Sequence, residues 1–181
     1  MKKKIWITAG IVLIALVAYL GYGLLTTTAH SPFKETKYSY QGTNITVAYC
    51  QPYKKGRLIF GEESDGALLP FGKYWRLGAN DPTIITFSTD VVFAGDKVIA
   101  GSYRMYAVPG NDSWEVSLNS ELDSWGVWEP DYSLDVVNVK ITPRVADTEM
   151  EQFTINFNSD STSMYMTFEW DKTIVSIPIT M

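Results

Sequence analysis

Five basic side chains, Lys54, Lys55, Arg57, Lys73 and Arg76, fall within 23 positions of a chain whose formal net charge is −5. Guanidinium forks and ammonium groups gathered in this way recognise carboxylate, phosphate or sulfated groups. Trp75 adds a flat apolar wall beside them, and Asn80 and Asp81 close the segment with groups able to orient a ligand through hydrogen bonds. Lys55, Arg57, Trp75, Arg76, Asn80 and Asp81 are therefore the candidate binding residues. Arg76, enclosed by Trp75, Leu77 and Gly78, reads as partly buried. A buried arginine needs a partner, which Asp81 or backbone carbonyls would supply. Both a structural latch and a ligand clamp are open to it. Lys54 and Lys73 read as solvated, with Glu62, Glu63 and Asp65 at hand to neutralise them.

Other chemistries have less to stand on. The single histidine, His30, leaves no Ser-His-Asp triad, Cys-His pair or histidine-ligated zinc, and it reads as a solvated residue near a membrane surface. Asp81 is the acid to watch. It would serve a hydrolase of glycans or envelope polymers, with a second carboxylate completing the general acid–base pair, but Asn80-Asp81-Pro82 reads first as a turn. No calcium loop, phosphate loop or dinucleotide fingerprint is present, since Gly21-x-Gly23 lies inside an apolar run; no cofactor and no metal is expected. The lone Cys50 forms no internal disulfide and reads as a small apolar strand residue. Trp114 and Trp170 alternate with apolar neighbours and read as core. Trp125, Trp128 and Tyr132 flank a short helical turn expected around Ser120–Gly126, where exposure, even a sugar platform, is more plausible.

These residues need elements to position them. Lys2, Lys3 and Lys4 precede 21 uncharged residues, Ile5 to Leu25; as a helix these reach about 31 Å, enough for a hydrocarbon core of about 30 Å. The reading is a single-pass anchor over residues 1–25 with the lysines on the cytoplasmic side and the remainder exported to the periplasm or exterior; a cleaved signal is the rival. Residues 26–37 read as a short polar stalk and 38–181 as one domain. Without the three lysines the exported part keeps 12 basic against 20 acidic residues, a net −8, which argues against nucleic acid as a partner.

Past the stalk the hydrophobic period is two. Thr43–Cys50, Thr83–Ser88, Val91–Phe93, Val98–Ala100, Ser102–Val108, Trp114–Asn119, Leu134–Thr142, Phe153–Phe157, Ser163–Trp170 and Thr173–Ile179 read as strands. Ala94-Gly95 marks a tight hairpin, Asn158–Ser161 a hairpin turn, and Glu169–Thr173 a link between the last two strands. The fold class is all-β: an antiparallel two-sheet β-sandwich or jelly-roll-like domain after one N-terminal transmembrane helix.

Taken together, Tyr49-x-x-Pro52-x-x-Lys55-Gly56-Arg57-x-x-Phe60-Gly61 and Pro70-Phe71-Gly72-x-x-Trp75-Arg76-x-Gly78-Ala79-Asn80-Asp81-x-Thr83 resemble the domain of unknown function 2911 family. Gly95, Ala100-Gly101-x-Tyr103, Val108-Pro109-Gly110, Trp114, Phe153-Thr154 and Pro178-Ile179 extend the resemblance from about Thr43 to Ile179. Where the family usually shows Asn-Glu this chain has Asn80-Asp81, and Glu62–Ala67 look like additional residues. The resemblance implies an exported domain and supplies no activity. The reading is thus a membrane-anchored, non-enzymatic binding module for a polar or anionic ligand, a glycan or an envelope protein; a hydrolase and a purely structural domain are the alternatives.

Overall fold

The computed structural model describes residues 2–181. Helix α1 spans Lys2–His30 and so takes in the first part of the expected stalk. Nothing between Leu25 and His30 breaks a helix, whereas Pro32 biases Ser31 away from helical geometry, and α1 stops there. Ile11, Val12, Leu13, Ile14, Leu16 and Leu20 are exposed along it. The side chains of 2–5, 7–9 and 24–28, at both ends of the expected span, lie outside the described residues. Among the described residues no helix is long and apolar enough to cross a membrane.

The rest is built from two antiparallel sheets and a small parallel pair. Strand β1 (Phe33–Tyr40) occupies the second part of the expected stalk. It pairs over all eight residues with β2 (Thr43–Cys50) across the Gln41-Gly42 turn, where both central residues have positive φ (48° and 88°) as a two-residue hairpin requires. Next come β3 (Phe60–Gly61), β4 (Leu69–Pro70), β5 (Thr83–Phe87), β6 (Val91–Phe93) and β7 (Asp96–Val98). They are followed by β8 (Gly101–Val108), β9 (Trp114–Asn119), β10 (Asp135–Ile141), β11 (Arg144–Ser159) and β12 (Met164–Thr180). A six-stranded sheet runs β1-β2-β5-β8-β9-β10, a four-stranded sheet runs β11-β12-β6-β7, and β3 and β4 form a small parallel pair.

Two local expectations change. Glu169–Thr173 is no link but the middle of the 17-residue β12, bent where Asp171 takes φ 54° and the register with β11 shifts; a bulge carries the same polar signature as a turn. Ser120–Gly126 forms no helical turn; the short 3₁₀ turn lies at Tyr132–Leu134, with the Asp131 side chain accepting from Ser133 N–H.

The inward positions of both sheets bury into one apolar cluster. Ile45, Val47 and Tyr49 of β2, Ile85 and Phe87 of β5, and Met105 of β8 meet Phe153 and Ile155 of β11 and Met166, Phe168 and Trp170 of β12. Ring contacts cross between the sheets: Tyr49 stands edge-on to Phe153 at 5.7 Å, and Phe87 to Phe93 at 6.4 Å. The Tyr49 hydroxyl accepts from Ile155 N–H at 2.8 Å, so the buried phenol is satisfied while burial raises its pKa.

Candidate functional site

The segment joining β4 to β5 is folded by its own residues. Trp75 exchanges two backbone hydrogen bonds of 2.8 Å with Ala107 of β8, which sends the indole into the core. There it packs against Phe60, Trp114, Phe153 and Trp170 at centroid distances of 4.8–5.9 Å. Its indole N–H donates to the Gly78 carbonyl at 3.0 Å, and the Thr83 hydroxyl donates to Leu77 O at 2.6 Å. A Cβ on Gly78 would stand 2.8 Å from the Cys50 carbonyl oxygen, so only glycine lets the loop close on the end of β2. Asn80, at φ 59°, takes the left-handed conformation its residue type tolerates. Trp75, Gly78, Asn80 and Thr83 are thus engaged in holding this loop shut.

Arg76 is the exception. Its Nε is buried with no hydrogen-bond partner, and among the described residues no carboxylate lies within 4.0 Å of its guanidinium, the ion pairs being formed by Lys37, Lys54, Lys73, Lys97, Arg104 and Lys140. Desolvation lowers its pKa; Tyr74, Cys50 and Asp81 favour the charge and Arg104 opposes it. Among the described residues the expected bond from Nε to Asp81 or to a carbonyl is not made, and Asp81 is exposed.

A cleft of about 490 Å³ opens beside this loop, with His30, Lys55, Arg57, Trp75, Arg76 and Trp170 in its wall along with Pro52, Leu68 and Leu69. Lys55 and Gly56 both adopt positive φ (51° and 68°), which turns the chain sharply after β2. Arg57 folds back over that turn, its Nε donating to Lys54 O at 2.9 Å and its Nη2 to Tyr53 O. Lys55 Nζ lies 2.7 Å from His30 Nδ1, so the end of α1 is part of the cleft and His30 is more than a solvated stalk residue. Among the described residues no carboxylate lines it.

Four of the six candidates, Lys55, Arg57, Trp75 and Arg76, meet at this cleft; Asn80 and Asp81 do not. The Asn80 side chain and the Asp81 backbone N–H meet the Cys50 thiol instead, while Asp81 itself is exposed. Burial raises the Cys50 thiol pKa, with the Asp81 backbone N–H and the Asn80 side chain partly offsetting it. Lys54 is not plainly solvated either, because Glu149 at 2.8 Å and Asp171 at 2.7 Å hold its ammonium, and their hydrogen bonds raise its pKa.

The family model described as protein of unknown function DUF2911 matches residues 31–179. The chain belongs to the DUF2911 family. The match starts at the residue after α1 and takes in every strand from β1 to β11 together with most of β12. No curated protein and no solved structure matches the chain.

One group in the DUF2911 domain escaped the sequence reading. Arg104, on β8, is fully buried and donates to Tyr74 Oη, Ser124 Oγ and Trp128 O, with Glu121 at 3.8 Å. By strand alternation it faces away from the core, so it reads as solvated. The chain between β9 and β10 folds over that face and covers it. The signal was the apolar, aromatic content of that connection, which needs a partner beneath it.

Proposed function

We propose that the DUF2911 domain of this chain is a non-enzymatic binding module whose cleft holds an anionic ligand. The observation that carries the reading is Arg76: a partly buried guanidinium without a counterion among the described residues, in the wall of a cleft that gathers Lys55 and Arg57 and, among those residues, no acid. A cation kept out of water costs free energy unless an anion meets it, and a ligand carboxylate, phosphate or sulfate is the group that does so. Trp75, Trp170, Leu68 and Leu69 supply an apolar wall for the rest of the ligand. The packed sheets are read as a two-sheet sandwich presenting this cleft at one end. The uncharged run Ile5–Leu25 is read as a single-pass anchor that exports the domain, which places the cleft, at the end of α1, against the membrane surface.

The experiment is calorimetric titration of the full chain in detergent with phosphate, sulfate and citrate, and with choline chloride as the cationic control. One saturable anion site is expected, weakened about tenfold in Arg57→Gln, the scale of one lost charge-assisted hydrogen bond. If none of the three anions binds, or if Arg57→Gln binds like the wild type, the reading fails.

A further inference from the structure

Between β9 and β10 the chain holds two tryptophans out in solvent. Trp125 is 55% exposed and Trp128 64%, and their rings stand at 79° to each other with centroids 6.0 Å apart. Large apolar groups displayed together mark interaction sites when the backbone holds them in place. Here the backbone is held at Trp125, Gly126 and Trp128. Trp128 N–H donates to Trp125 O at 3.0 Å, closing a tight turn. Gly126 lies flat on the loop after Trp75: a Cβ there would fall 2.7 Å from Asn80 O and 2.8 Å from Pro82 N. The Tyr74 hydroxyl donates to Gly126 O at 3.1 Å, and the buried Arg104 donates to Trp128 O and Ser124 Oγ. A fully buried arginine thus serves to fix a turn whose two indoles stand edge to face and more than half exposed.

The charge around the indoles selects the partner. Residues 120–136 carry Glu121, Asp123, Glu129, Asp131 and Asp135 and no basic residue. Three of these acids are used within the domain. Glu121 accepts from Asp131 N–H at 2.9 Å, Asp131 from Ser133 N–H at 2.9 Å, and Asp135 from Tyr106 Oη at 2.6 Å and Asn119 Nδ2 at 2.8 Å. Asp123 and Glu129 remain exposed beside Trp125 and Trp128, Glu129 accepting only from the Tyr132 hydroxyl at 2.7 Å. A cation over an indole face is attracted by the ring quadrupole, and a neighbouring carboxylate adds an ion pair. An anionic surface is repelled by the same acids, and a neutral sugar would use the indoles but gain nothing from the charge.

We infer that the Trp125–Trp128 turn is a docking site for a cationic segment of a partner protein, presenting arginine or lysine side chains to the two indoles between Asp123 and Glu129. The site is separate from the basic cleft and takes the opposite charge.

The test titrates the full chain with an acetylated and amidated tetra-arginine peptide, with tetraglycine and chitotetraose as neutral probes. Trp125→Ala and Trp128→Ala are compared with the wild type; both side chains are exposed, so the melting temperature checks that the fold is kept. The expected result is saturable binding of tetra-arginine, weakened about tenfold in each variant, as for an aromatic anchor at an interface. Both variants keep the net charge, so equal binding by wild type and variants would reduce the effect to diffuse attraction and overturn the site. Binding of chitotetraose with no binding of tetra-arginine would overturn it in favour of a sugar platform, and no binding of any probe would overturn it outright.

Discussion

Arg76→Met is expected to raise the melting temperature of the full chain while removing its anion binding. The guanidinium Nε is buried without a partner, and among the described residues no carboxylate lies within 4.0 Å of the charge. Methionine keeps the length and apolar stem of the side chain and has no charge to desolvate. Substitutions that relieve such strain at a functional position commonly gain about 0.5–2 kcal/mol and lose activity in exchange. The loss in affinity is set at about tenfold or more, since each factor of ten is about 1.4 kcal/mol and a charge-assisted contact supplies about 1.5–3 kcal/mol. Differential scanning calorimetry and isothermal titration read the two effects on the same samples. A large fall in melting temperature would make Arg76 a structural latch; unchanged anion affinity would remove it from the site.

Trp75→Ala is expected to do the reverse and destabilise the domain strongly. The ring is 4% exposed, its neighbours are four other aromatic rings, and its N–H closes the loop at Gly78. Truncating a buried tryptophan to alanine costs about 3–5 kcal/mol, a large share of the roughly 5–15 kcal/mol that stabilises most domains. At about 2–4 °C per kcal/mol for a chain of this size, the melting temperature should fall by roughly 6–20 °C. Thermal unfolding followed by near-ultraviolet circular dichroism measures it. A shift within a degree or two would mean that the loop is held without its indole. Adjacent residues of one motif thus divide the work: Trp75 holds the loop and Arg76 is held by it at a cost.

This division explains why the site was only partly legible in the sequence. Clustered basic residues and an aromatic neighbour pointed to Lys55, Arg57, Trp75 and Arg76, and these meet at the cleft. Asn80 and Asp81 join them only by proximity along the chain. A single left-handed residue at Asn80 takes them away from the cleft, and composition does not carry that change of direction. Arg104 was hidden for a related reason, because an outward strand position is solvated unless another segment covers it. The strands were legible where one face is apolar, as in Ile45, Val47 and Tyr49 of β2. Strand β1, with Lys34, Glu35 and Lys37, looked like a stalk because an edge strand protects itself with charge. The first half of β11, Arg144–Gln152, is polar for lack of a buried face and carries no strand signature for the same reason. The bend at Asp171 looked like a chain reversal, since turns and bulges call for the same residue types.

The most direct measurement of the central claim is anomalous diffraction from crystals of the full chain soaked in selenate, a heavy analogue of sulfate. The account predicts a selenium peak in the cleft within about 4 Å of the Arg57 and Arg76 guanidinium groups, the reach of an ion pair. A cleft without a peak in crystals that bind selenate at other lysines or arginines would contradict it.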